Sequence, residues 1–221
     1  MYNSKITGLG YFVPENVVTN DDLAQRMDTN DAWIQERTGI KERRHVVKGE
    51  DTTTSMGVKA AKIAIERAGI DKDAIDFIVF ATLSPDYYFP GPGVLVQRDL
   101  GIKTVGALDV RNQCSGFIYA LSVADQYIKS GMYKNILVIG SELHSHGLDM
   151  TTRGRAVSVI FGDGAGAAVC HMRHDLCTNV GDEGETDTPG ETETPGDPDT
   201  PIDADDPGDT DAPSDTDTPS D

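Results

Sequence analysis

The sequence predicts an α/β domain built on a largely parallel sheet, followed by a disordered acidic tail. Three observations carry this reading. Two apolar runs of strand length, FIVFATL (Phe77–Leu83) and NILVIGS (Asn135–Ser141), have no polar alternation, as expected of strands covered on both faces. Stretches with a 3.6-residue apolar period alternate with such runs, the pattern of a right-handed parallel α/β layer. Finally, the charge is split. The 221 residues carry a net charge of −18, yet 16 of the 37 acids lie in residues 180–221, which contain no Lys or Arg.

The elements follow in order. Ile6 to Val13 reads as a strand ended by Pro14. Thr19 or Asn20 caps a short helix over DDLAQRM, and Asn30 or Asp31 caps a second over AWIQERT, stopped by Gly39. Residues 40–47 are extended. Asp51 or a neighbouring threonine opens a longer helix with Met56, Ala60, Ile63, Ala64 and Ala68 on one face, and Gly69 stops it. After the strand at Phe77 comes a loop rich in Tyr, Pro and Gly (SPDYYFPGPG), then a helical stretch to Leu100 and a strand, VGALDV. A helix from about Ser115 to Ser130 aligns Phe117, Leu121, Ala124 and Ile128, with Gly131 beyond its end. Residues 142–156 form a polar loop, with His144 and His146 as solvated surface features. VSVIFGDGAGAAVC (Val157–Cys170) reads as strand, tight glycine turn, strand.

The organisation is thus a body over residues 1–170 and a tail over 171–221. Residues 180–221 hold 7 of the 11 prolines and no aromatic, with Val180 and Ile202 as their only large aliphatics, too little to offset the entropy of ordering. The body is near neutral, a poor match to phosphate-rich nucleic acid. No apolar run approaches the roughly 20 residues of a membrane span. The N-terminus shows no secretory pattern, and three cysteines (Cys114, Cys170, Cys177) do not make a disulfide scaffold, so a cytoplasmic protein is expected. Cys170, His171, His174 and Cys177 are zinc-type ligands, but they lack the two separated pairs of a zinc knuckle and are read as a chance cluster; no metal site is expected.

The chemistry-bearing feature is Cys114, in ALDVRNQCSGFIYALSVADQYIKSG. It falls between a buried strand and a helix, where unpaired N–H groups and the helix dipole favour a thiolate and can hold an oxyanion. Position alone also allows a small buried hydrophobe.

RNQCSGFIYALSVADQYIKSG, with DAWIQERTGIKERR, RGRAVSVIFGDGAGAAV and the opening KITGLGYFVPENVVTN, resembles the amino-terminal half of the β-ketoacyl-acyl carrier protein synthase III family. The resemblance covers about residues 1–169. It implies a thiolase-like fold, here one half of the duplicated arrangement: a mixed, mostly parallel sheet with helices on both faces. It also implies an acyltransferase of fatty-acid biosynthesis. Cys114 would take an acyl group from acyl-CoA, a substrate rather than a bound cofactor, and the acyl group would condense with malonyl-acyl carrier protein. By motif match Trp33 stacks on the CoA adenine with Arg153 on the base's other face, and Thr29 and Arg37 fall at nucleotide contacts. Phe89 crosses a homodimer interface to line the neighbour's acyl pocket. Read alone, Trp33 is a surface anchor, Arg153 a solvated cation and Phe89 a loop plug. The family's other half supplies a histidine and an asparagine for decarboxylation, and none of the five histidines here lies in such a motif. Full turnover by this chain is therefore not expected, and a lone half exposes the apolar face of the Cys114 helix. A non-catalytic half-fold that pairs with a separate subunit, and a gene fragment, are the other readings.

Overall fold

A computed structural model describes residues 2–174. β1 (Tyr2–Phe12) leads to a small antiparallel pair, β2 (Val17–Thr19) with β3 (Glu42–Arg44). Between them lie α1 (Asn20–Ala24) and α2 (Asp31–Thr38). Thr19 caps α1 through a reciprocal bond with Asp22; Asn30 caps α2, and Gly39 ends it at φ 70°. α3 (Thr53–Ala68) starts at a second capping box, Thr52 with Ser55, and stops at Gly69, again left-handed. Then follow β4 (Phe77–Ala81), α4 (Pro92–Leu100), β5 (Gly106–Val110), α5 (Gly116–Lys129), β6 (Asn135–Glu142), the four-residue α6 (Arg155–Ser158) and β7 (Gly164–His174).

The main sheet has the order β1-β7-β6-β4-β5. β4 pairs parallel with both β5 and β6, while β7 runs antiparallel between β6 and β1. Four strands therefore share one direction and β7 alone opposes them, the mixed, mostly parallel sheet expected. Every residue of β4 is buried, as its unbroken apolar run requires. β5 lies at the sheet's edge and is only half-buried.

Side-chain alternation divides the core into two layers. Ile78, Phe80, Leu137, Ile139 and Val169 face α3 and α4, joining Met56, Ala60, Ala64 and Val96. Phe77, Val79, Ala81, Ile136 and Val138 face α5, meeting Ala120, Ala124 and Ile128. On the far side of α5, Ile118 and Tyr119 are exposed, the apolar face anticipated for a half-fold. β1 lies directly against α3. Carbons added at Gly8 and Gly10 would fall 2.0 Å from the Ala64 carbonyl oxygen and 2.1 Å from that of Ala60.

Two expectations are corrected. Residues 157–158 of the anticipated strand belong to α6, which starts at Arg155 in the anticipated loop, and the glycines that follow are not a turn between strands: Gly164 and Gly166 lie inside β7. Residues 171–174, assigned to the tail, continue β7 and pair with β1 as far as Tyr2 against His174. The remainder of the expected tail, residues 175–221, and Cys177 lie outside the described residues. Among the described residues, no helix is long and apolar enough to cross a membrane.

Candidate active site

β5 ends at Val110, and a single 3-10 turn, Gln113–Ser115, carries the chain into α5. Gln113 holds the left-handed region at φ 45°, which turns the chain sharply before Cys114. Ser115 Oγ donates to the Asn112 carbonyl and accepts from Asn112 Nδ2, tying the elbow together. Gly116 seats the first turn of α5 on β4, its nearest neighbour being the Ala81 side chain.

Cys114 is exposed, which removes the reading of a buried hydrophobe. That description belongs to Cys170, 4% exposed between the sheet and α5, where burial and then the Asp125 charge push the thiol up to about 11. Cys170 stays protonated and inert at neutral pH.

Cys114 opens onto a cavity of about 500 Å³. Its apolar walls include Ala81, Leu83, Phe117 and Phe161, and the close approach of Gly140, Gly162 and Gly166 leaves room for a ligand. Ser141, Glu142 and His144 add polar groups. Glu142 accepts from the Leu83 and Ser84 amides and from the Thr82 and Ser84 hydroxyls, so it clamps the end of β4 to the end of β6. His144 is not the solvated surface group expected: its ring stacks on Phe161 at 4.8 Å and its Nε2 lies 3.9 Å from Glu142. His146 is exposed, as expected, with its Nε2 3.3 Å from the Val46 carbonyl oxygen.

Behind this wall lies Asp163, a residue sequence reasoning passed over within the glycine cluster. It is 5% exposed and accepts from the amides of Val46, His144 and Ser145 and from the Ser145 hydroxyl. One carboxylate thus joins the segments after β3 and β6 to the start of β7. Asp163→Ala leaves one buried and two partly buried N–H groups unpaired, so an expected loss of about 3 kcal/mol appears as a lower urea midpoint with unchanged slope.

His45 packs nearby, 7% exposed, with Nε2 3.4 Å from the Phe161 carbonyl oxygen. Burial is the largest influence and lowers its pKa; the Phe161 carbonyl and Asp163 oppose that shift, and the Arg43 and Arg26 charges assist it. The folded protein then binds fewer protons at this site than the unfolded chain. The stabilisation is complete above the unfolded histidine pKa, about 6.5, and is lost as pH falls through the depressed folded value. Urea titrations between pH 7.5 and 5 are expected to show this decline, and His45→Gln to flatten it.

A second cluster surrounds Trp33. The Asn30 cap, accepting from the Trp33 amide, sets the indole on the first turn of α2. Arg37, four residues on, places its guanidinium 4.5 Å from the ring centroid. The other cation at the ring is Arg155, at 4.6 Å, rather than Arg153. Arg153 is 89% exposed at its side chain, and its Nε donates to Asp149. The Thr151 hydroxyl, together with Arg153, holds the Asp149 carboxyl down at about 2. Thr29 precedes α2, its Oγ1 buried without a hydrogen-bond partner. Phe89 is 92% exposed at the tip of the loop after β4, beside the exposed Tyr87 and Tyr88.

Comparison with known proteins gives a consistent result. Residues 108–182 match the 3-Oxoacyl-[acyl-carrier-protein (ACP)] synthase III family. The chain is 52% identical over 166 residues to a β-ketoacyl-[acyl-carrier-protein] synthase III of Escherichia coli, covering 75% of this chain and 51% of that protein. It is 48% identical over 169 residues to the enzyme of the same name from Ehrlichia canis, covering 76% and 52%. In structure it is similar to 3-oxoacyl-[acyl-carrier-protein] synthase III from Aquifex aeolicus (TM-score 0.74, 48% identity, 78% of this chain and 54% of that one). It is also similar to the priming β-ketosynthase of the R1128 polyketide pathway (TM-score 0.73, 36% identity, covering 76% and 50%). The chain therefore spans about half the length of the relatives it matches. With the Cys114 elbow, the mixed sheet and the Trp33 helix all in place, this chain is similar to about one half of the β-ketoacyl-acyl carrier protein synthase III enzymes.

Proposed function

We propose that this chain is the nucleophile-bearing part of a β-ketoacyl-acyl carrier protein synthase III, an acyltransferase of fatty-acid biosynthesis acting in the cytosol, where its thiols stay reduced. The observation that carries the reading is the exposed Cys114 at the start of α5, opening onto an apolar cavity. The Cys114 thiolate attacks the thioester carbonyl of an acyl-CoA. An S–C bond forms, the C–S bond to coenzyme A breaks, and coenzyme A departs as a thiol with the proton that cysteine gave up. One thioester replaces another, so the step is nearly balanced in energy. Amide hydrogens at the first turn of α5 face the developing oxyanion. The acyl chain lies among Leu83, Phe117 and Phe161.

Trp33 receives the adenine, with Arg37 and Thr29 beside it and Arg153 reaching over from solvent. Malonyl-acyl carrier protein supplies the second step, which in the family uses the histidine and asparagine of the other half: it loses carbon dioxide and its carbanion attacks the acyl-cysteine, giving the β-ketoacyl product and a Cys114 thiolate that takes a proton from solvent. The reaction needs no resident cofactor, since coenzyme A enters and leaves as substrate. Phe89 serves a homodimer, reaching into the neighbouring copy. Intact-mass spectrometry after incubation with acetyl-CoA tests the first step: one added acetyl group on Cys114 supports it, and a folded but unmodified chain overturns it.

A further inference from the structure

Arg155 is absent from every role considered above, yet it is better placed at the nucleotide end of the site than Arg153. Its guanidinium lies 4.6 Å from the Trp33 centroid, and Nη1 donates to the Asp28 carbonyl. The Asp28 amide in turn donates to Thr152 Oγ1, so the segment leading into α6 is latched onto the chain between α1 and α2. This side chain is 34% exposed against 89% for Arg153. Arg37 comes within 4.5 Å of the same ring.

Two guanidiniums thus converge on one indole, and their charge is poorly compensated. The carboxylate nearest Arg155 is Asp28, at 3.9 Å and 88% exposed; Arg37 meets Glu36, which is 75% exposed. Such exposed pairs are screened and weak. Both guanidiniums lie over the indole, so a base that stacks there takes the place of one of them, and the planar fork it displaces can chelate an oxyanion carried by that base; the arrangement suits a phosphorylated aromatic base.

We propose that Arg155 is a phosphate-binding residue of the nucleotide subsite, acting with Arg37 on either side of the group that stacks at Trp33. This deepens the acyl-CoA reading and rests on it: Arg155 selects thioesters that carry a phosphorylated adenosine over those that do not. Arg153, paired with Asp149 in solvent, contributes less.

The chain contains a single tryptophan, so fluorescence of the full-length protein reports on this subsite directly. The probes are adenosine 3′,5′-bisphosphate and adenosine, titrated into the wild type, Arg155→Ala and Arg155→Gln. Glutamine retains a donor toward Asp28, and thermal melting by circular dichroism checks that both variants fold. The bisphosphate is expected to bind the wild type saturably and both variants at least tenfold more weakly, while adenosine shifts less than twofold. Equal losses for both probes, unchanged bisphosphate affinity, or no binding to the wild type would overturn the assignment. An Arg155-dependent bisphosphate site in a chain that gains no acetyl group keeps this inference and removes the acyl-transfer reading. Acetylation of Cys114 without any Arg155 dependence of bisphosphate binding does the reverse.

Discussion

Cys114→Ala is expected to abolish acetylation by acetyl-CoA, and Cys170→Ala to leave it intact. Both proteins should remain folded. Cys114 is solvent-exposed on a short turn, so removing its sulfur opens no core cavity, whereas Cys170 belongs to the layer under α5. The two thiols differ in environment rather than in chemistry. Cys170 is held protonated by burial, with a pKa of about 11. At pH 7 the fraction ionised there is on the order of one in ten thousand. Cys114→Ser is expected to fall at least a hundredfold in acylation rate, because a hydroxyl without an adjacent base is a poor nucleophile at neutral pH. Peptide mapping of the acetylated protein distinguishes the sites, and modification of Cys170 in place of Cys114 would refute the assignment.

Gly10→Ala is expected to cost about 3–5 kcal/mol, enough to unfold much of a domain of ordinary stability. Its new carbon would sit 2.1 Å from the Ala60 carbonyl oxygen and 2.6 Å from the Ala64 nitrogen. These are backbone atoms inside the hydrogen-bonded ladder of α3, and no rotamer change can move them. Relief requires the helix to lift from β1, which separates Ala60 and Ala64 from the core they share with Ile139 and Val169. Gly166→Ala is the internal comparison. It lies in β7 beside β1, but a carbon added there meets nothing within 4 Å, so a change below about 0.5 kcal/mol is expected. Urea denaturation of the two variants gives the contrast directly.

Local chemistry made most of the fold legible. Asn30 and Thr52 cap their helices and Gly39 and Gly69 stop them, and the unbroken apolar stretch of β4 marked an interior strand of the sheet. The segment over residues 155–163 did not read correctly because tertiary contacts override its β-branched composition. Arg43 Nη2 donates to the Val159 carbonyl at the end of α6, and Ser158 Oγ donates to the Asp149 carbonyl. Both partners are remote in sequence or hidden in a loop. In the site, Cys114 stood out through its place between a strand and a helix, and Trp33 only through the family resemblance. Asp163, Glu142 and Arg155 did not, since an acid beside glycines, an acid ending a strand and a basic loop residue are ordinary in isolation. Each acquires its role only when a distant backbone amide, or an indole, is brought to it.

The position of β7 has a consequence for how the chain is made. The opening strand finds its sheet partner only in residues 164–174, and the bond from Thr7 to the Val169 carbonyl spans 162 positions. During synthesis the first strand therefore emerges with its ladder edge bare and stays so until the last described residues have left the ribosome. Closing so long a loop is slow, and an unpaired edge of this length is open to association with other nascent chains in the interval. Gly8 and Gly10 let α3 dock against that strand beforehand, so the helix gives the waiting segment its earliest cover.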